Sequence, residues 1–159
     1  MRKLAKIDKS CVGRRRPPTS IRVEAAQLRM FLRSIGEGAP TFRDSVVARA
    51  EGYRDIPIPA TYLFCLHMLS AADLFELYRD MGIEIGRLLH GEQSFSYYAQ
   101  VCVGDELTFE AVVSDVADKK SGEMTLVTQT VKVRNQDGQH VADMTLNTIV
   151  LNPAHKEAA

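Results

Sequence analysis

The sequence has little cysteine, no excess charge of either sign and no long apolar run, and each lack closes off a class of function. Only three cysteines occur in 159 residues, Cys11, Cys65 and Cys102. They are isolated, odd in number and without the spacing of a metal site or a redox pair. A disulfide framework is excluded, and a reducing cytoplasm is the expected compartment. The 20 basic and 20 acidic residues cancel. That argues against a protein working through nucleic acid or an anionic membrane surface, since both rely on a net positive field. No stretch approaches the roughly 18 apolar residues needed to span a bilayer. The basic N-terminus has no apolar run of signal-peptide length behind it. Internal repeats and low-complexity segments are also missing.

What remains is an ordinary globular composition, 45% apolar and 25% charged, of a length that suits one domain over residues 1–159. A chain of this size buries roughly two thirds of its unfolded surface and needs no covalent staples.

Residues 1–18 end in Arg14-Arg15-Arg16-Pro17-Pro18. Two prolines fix φ and remove two donors, so the segment reads as an extended lead-in with a solvated basic surface. Ser20–Val23 alternates and predicts a first strand. From Glu24, Leu28, Phe31, Leu32 and Ile35 recur at helical spacing, and Gly36 supplies a stop. A helical turn is expected at Ser45–Ala50. Alternate prolines at Pro57 and Pro59 then forbid a helix. Thr61 to Met81 is the most apolar helix candidate, with Thr61 as cap and burial expected all round its first part. Ser70-Ala71-Ala72-Asp73 offers a break into two pieces, with Asp73 capping the second. Beyond Gly82 the period changes to two. Strands are expected at Glu92–Ala99, Glu106–Asp118, Met124–Asn135 and Gln139–Leu151, with a frayed tail from Asn152. A long helix before an antiparallel meander means α+β.

Three segments carry a more specific likeness. The first is Phe31-Leu32-Arg33-Ser34-Ile35-Gly36-Glu37-Gly38-Ala39-Pro40-Thr41-Phe42-Arg43-Asp44, and the second is Gly52-Tyr53-Arg54-Asp55-Ile56-Pro57-Ile58-Pro59-Ala60-Thr61-Tyr62. The third is Leu89-His90-Gly91-Glu92-Gln93-Ser94-Phe95-Ser96-Tyr97-Tyr98 with Val103-Gly104-Asp105-Glu106-Leu107 behind it. Their order and spacing, over about residues 8–151, resemble the MaoC-like (R)-specific hydratase/dehydratase family and its N-terminal dehydratase domains. The resemblance implies a hot-dog fold, an antiparallel sheet wrapped around a central helix. It also implies reversible hydration of 2-enoyl thioesters to (R)-3-hydroxyacyl thioesters of coenzyme A or acyl carrier protein, with no metal or redox cofactor. In that family an Asp and a His hold the reacting water, and backbone N–H groups at the start of the central helix polarise the thioester.

The motif departs from the family pattern at its chemistry. Glu37 stands at the aspartate position, Ala39 at the asparagine position and Phe42 at the histidine position. Phenylalanine moves no proton. The resemblance therefore implies a non-catalytic acyl-binding half, dimeric with itself or with a His-bearing paralogue. Phe42, Asp44, Pro59, Ala60, Thr61 and Phe64, with Leu66, would face substrate. Two other classes stay open: a homodimeric module that only binds acyl thioesters, and a thioesterase with Glu37 or Glu92 as base. His90 and Glu92, two apart where a strand begins, share one face in a regular strand and offer a substitute acid/base pair, with Tyr97 or Tyr98 adding a hydroxyl. His67 reads as a satisfied core or interface histidine rather than one facing a substrate pocket. His140 and His155 read as solvated, Cys65 as inert, and Lys119-Lys120 as a hairpin tip.

Overall fold

Alternation of apolar and polar residues along the second half of the chain produces a sheet with one dry face. In the computed structural model, which describes residues 7–73 and 75–152, β1 (Thr19–Arg22) is followed by α1 (Ala25–Ser34), α2 (Ser45–Ala50), α3 (Tyr62–Ser70) and α4 (Glu76–Asp80). Four long strands complete the chain: β2 (Leu88–Tyr97), β3 (Glu106–Lys119), β4 (Met124–Arg134) and β5 (His140–Leu151). They form one antiparallel sheet in the order β1-β3-β4-β5-β2. Leu107, Phe109, Ala111 and Val113 on β3 and Val127, Val131 and Val133 on β4 are buried at every second position. Met144, Leu146 and Val150 of β5 continue that face. Leu63 and Leu66 of α3 and Leu28 and Leu32 of α1 pack in the same core, all at most 1% exposed. A curled sheet closing on a central helix is the hot-dog fold, in the α+β class.

The long helix expected from Thr61 to Met81 is two helices. Polar Ser70 and Asp73 interrupt the apolar run, and the Asp73 carboxylate accepts the Phe75 N–H at 2.9 Å, a local bond that competes with helix continuation. Leu74, expected within that helix, lies outside the described residues. Thr61 stands at the start of α3, but its side chain makes no capping bond. Burial of α3 is one-sided rather than complete: Leu69 is 56% exposed and Phe64 and Cys65 are half-buried.

The arginine run is not simply solvated. Residues 13–16 pair alongside β3 beyond the end of β1, through Gly13 N–H to Val113 C=O at 2.8 Å and Arg16 N–H to Ala111 C=O at 3.3 Å. Arg14 and Arg16 also donate to the carbonyls of Asp80 and Asp73, both at 3.0 Å. Asn152 is likewise held, its amide donating to Gly122 C=O and to Thr125 Oγ1. His155 and residues 153–159 lie outside the described part. Among the described residues the sheet ends on β1 at one edge and on β2, paired with β5 alone, at the other.

Candidate functional site

The segment that leads into α3 is positioned by a buried charge. Asp105, 1% exposed, accepts from Arg54 Nη2 through both carboxylate oxygens at 2.8 Å and from the Cys102 N–H at 2.9 Å. Backbone bonds from Ile58 N–H to Val101 C=O and from Val103 N–H to Ile56 C=O flank it. A carboxylate with this many donors is well compensated in a dry environment. The loop over 54–58 is thereby locked against 101–105, and the first turn of α3 is set. There the Tyr97 hydroxyl donates to Ala60 C=O at 2.6 Å. Burial raises the Tyr97 pKa well above its ordinary value, so the phenol stays protonated. Pro59 accepts the Tyr62 N–H at 3.0 Å.

Ahead of this loop, the residues that the resemblance marks as site positions have local structural partners. Glu37 Oε1 accepts the Ala39 N–H at 2.8 Å. Phe42 ends a 3₁₀ turn over Pro40–Phe42 and packs, half-buried, against the main core. The Asp44 carboxylate caps α2 by accepting the Val46 N–H at 2.7 Å, an N-cap role.

His90 and Glu92 do not share a face. The β2–β5 register shifts between them, pairing His90 with Thr148 and Glu92 with Asn147. Gly91 is the extra residue of a β-bulge, which cancels the two-residue alternation. A Cβ on Gly91 would lie 2.8 Å from the Asn147 carbonyl oxygen, so the close approach requires glycine. His90 turns to the concave face, its ring 5.5 Å from that of Phe64 in an edge-to-face contact. Glu92 points to the convex face and accepts from the Asn147 amide at 3.1 Å. Among the described residues nothing joins them as an acid/base pair, and neither touches Glu37.

Behind His90, between α3, α4 and the sheet, lies a cavity of about 230 Å³. Phe64, Met68, Phe75, Leu88 and Leu146 form apolar walls. Phe42 is not among its lining residues, and Leu66, fully buried, packs in the main core instead. The cavity also has a polar side that sequence patterning did not bring out. Gln129 Nε2 donates to the Tyr78 hydroxyl at 2.6 Å, and Tyr78 lies 2.7 Å from Thr148 Oγ1. His67, 7% exposed, lines the same space, and its buried Nδ1 has no hydrogen-bond partner. It is thus a buried but unsatisfied histidine. Burial, with the positive Arg16 nearby, lowers its pKa to about 4 and keeps it neutral. One signal for this cluster was available: Gln129 and Thr148 are polar residues standing in the apolar phase of β4 and β5.

His140 is not freely solvated either; its Nε2 lies 2.7 Å from Asp143 Oδ1 and its ring packs on Tyr98. Tyr98 donates to Asp143 Oδ2 at 2.9 Å. Burial raises the Cys65 thiol pKa, the opposite of what a nucleophile needs. Lys119 and Lys120 are exposed beside the β3–β4 turn. No helix among the described residues is long and apolar enough to cross a membrane.

A hot-dog sheet and a pinned loop before its central helix define a dehydratase-like hot-dog chain. The chain belongs to the family described as the FAS1-like, dehydratase domain region, whose model matches residues 10–144. It is 35% identical over 113 residues to the UPF0336 protein of Streptomyces griseus, covering 69% of this chain and 73% of that one. Its fold is similar to that of the HadBC (3R-hydroxyacyl-ACP dehydratase) complex of Mycobacterium tuberculosis. There the TM-score is 0.73 and identity 22%, with 87% of this chain and 96% of that chain covered. A MaoC-like dehydratase from Rhodospirillum rubrum gives a TM-score of 0.64 at 24% identity, over 90% of this chain and 94% of that one.

Proposed function

We propose that this chain is the acyl-binding, non-catalytic half of a two-part hydratase/dehydratase acting on 2-enoyl and (R)-3-hydroxyacyl thioesters of coenzyme A or acyl carrier protein. The observation that carries this reading is the state of the motif. Phe42 occupies the histidine position, and the Glu37 carboxylate is engaged by the Ala39 N–H. Neither group is arranged to move a proton to or from a bound water. The apolar walls at Phe64, Met68 and Leu146 support an acyl-binding role. So does the start of α3, where Ala60 and Thr61, following a proline that has no N–H, would turn the backbone donors of a helix N-terminus toward a thioester carbonyl. The bare β2 edge and the half-covered side of α3 favour pairing with a second hot-dog chain, as does the description of the similar HadBC as a complex. That second chain would supply the histidine.

The test is hydration of a short enoyl-CoA, followed at the enoyl-thioester absorbance. The purified chain alone is expected to give no turnover, and addition of a His-bearing MaoC-like partner that is slow by itself is expected to restore it. Turnover by the isolated chain that disappears in Glu37→Ala or Glu92→Ala would overturn the non-catalytic assignment.

A further inference from the structure

The cavity behind His90 is built for more than a hydrocarbon. A pocket for a saturated acyl chain needs apolar walls only, because a buried polar group without a partner costs about 1–3 kcal/mol. Here six polar side chains line one cavity: Arg16, His67 of α3, Tyr78 of α4, His90 of β2, Gln129 of β4 and Thr148 of β5. Tyr78 and Gln129 are 8% and 4% exposed.

One of their hydrogen bonds has a fixed direction. Gln129 Nε2 is a donor only, so the Tyr78 oxygen accepts from it. Thr148 Oγ1 lies 2.7 Å from the same oxygen, and either hydroxyl can be the donor. Only one of the two hydroxyl hydrogens is used between them, so the Tyr78–Thr148 pair keeps one for a further acceptor. His67 lines the same cavity, and its Nδ1 is closed off without a hydrogen-bond partner. A neutral imidazole has one nitrogen that donates and one that accepts, so it suits either an oxo or a hydroxyl oxygen.

Position narrows the ligand further. His67 lies six residues after Thr61 on α3, about 9 Å along a helix rising 1.5 Å per residue. At about 230 Å³ the cavity is below the roughly 300–1,000 Å³ usual for a whole ligand, so it receives the end of a chain. We infer that the cavity selects acyl thioesters whose chain carries a neutral oxygen, oxo or hydroxyl, several carbons beyond the thioester, recognised by Thr148 and His67. This rests on the acyl-binding reading above and adds the substrate class to it.

The experiment is calorimetric titration of the purified full-length chain, in the oligomeric form it adopts, with octanoyl-CoA, 7-oxooctanoyl-CoA, 8-hydroxyoctanoyl-CoA and free coenzyme A. At least one oxygenated acyl-CoA is expected to bind about tenfold tighter than octanoyl-CoA. That ratio is expected to fall to near one in Thr148→Val and in His67→Phe. The ratio within each variant is read, so partial loss of folded protein does not imitate the effect, and Thr148→Val serves if His67→Phe fails to fold. If octanoyl-CoA binds and neither oxygenated chain binds better, the inference is overturned and the acyl-binding reading stands. A preference that survives in Thr148→Val and in every folded His67 variant also overturns it, since the oxygen is then read elsewhere. If no acyl-CoA binds more tightly than free coenzyme A, the acyl-binding reading itself fails.

Discussion

His67 makes the interior of this fold sensitive to acid. Its imidazole is held neutral first by burial and then by the charge of Arg16, so its pKa falls from 6.5 to about 4. Tyr78 and His90 face the same cavity. In the unfolded chain the ring takes up its proton near pH 6.5, and in the folded chain only near 4. Between those values the unfolded state binds more protons, so stability is full above pH 6.5 and falls as the pH drops. The expected loss from this group is about 2 kcal/mol by pH 5. Urea midpoints at pH 7.5 and pH 5 measure it, and His67→Gln should remove most of the difference. An unchanged difference in that variant would place the acid sensitivity in other groups. Phe42, by contrast, was fully legible without coordinates, because the absence of a titratable group needs no geometry to interpret. Whether Glu37 and Asp44 were available did need geometry. Both carboxylates accept local backbone N–H groups, a use that spacing alone does not distinguish from catalysis.

At the scale of elements, β2 differs most from its sequence pattern. Alternation places its start at Glu92, yet pairing begins at Leu88 opposite Val150. The glycine that interrupts the pattern instead forms the bulge within the strand. Gly91→Ala is therefore expected to destabilise the fold by about 1–3 kcal/mol, because the added Cβ meets backbone that cannot step aside. Chemical denaturation reads this directly, and a change below about 0.5 kcal/mol would show that the bulge relaxes easily. The other strands and α1 and α2 were closely anticipated. Their signals are local: a period of two, a period near 3.6, and a helix stop at Gly36. The α3–α4 break was also visible, in Ser70 to Asp73.

For the whole molecule, the bare β2 edge and the exposed Leu69 of α3 predict self-association or pairing with a homologous chain. Sedimentation equilibrium of the chain alone or with a His-bearing partner should give a dimer. Leu69→Arg should weaken it at least about tenfold, since a charge would then be buried at the joint. A monomer at micromolar concentration under both conditions would contradict the pairing.

The sequence by itself determined the α+β class, the order of strands and helices, the family frame and the phenylalanine that stands where the resemblance sets a histidine. Each of these resides in periodicity, capping or residue identity, which are properties of neighbours along the chain. Only the tertiary structure decided that His90 and Glu92 face opposite sides, that Asp105 clamps Arg54, and that His67, Tyr78, Gln129 and Thr148 meet in one cavity. Those facts depend on a single bulged residue and on strand register across four elements. They come from distances between residues far apart in the chain, which no local pattern encodes.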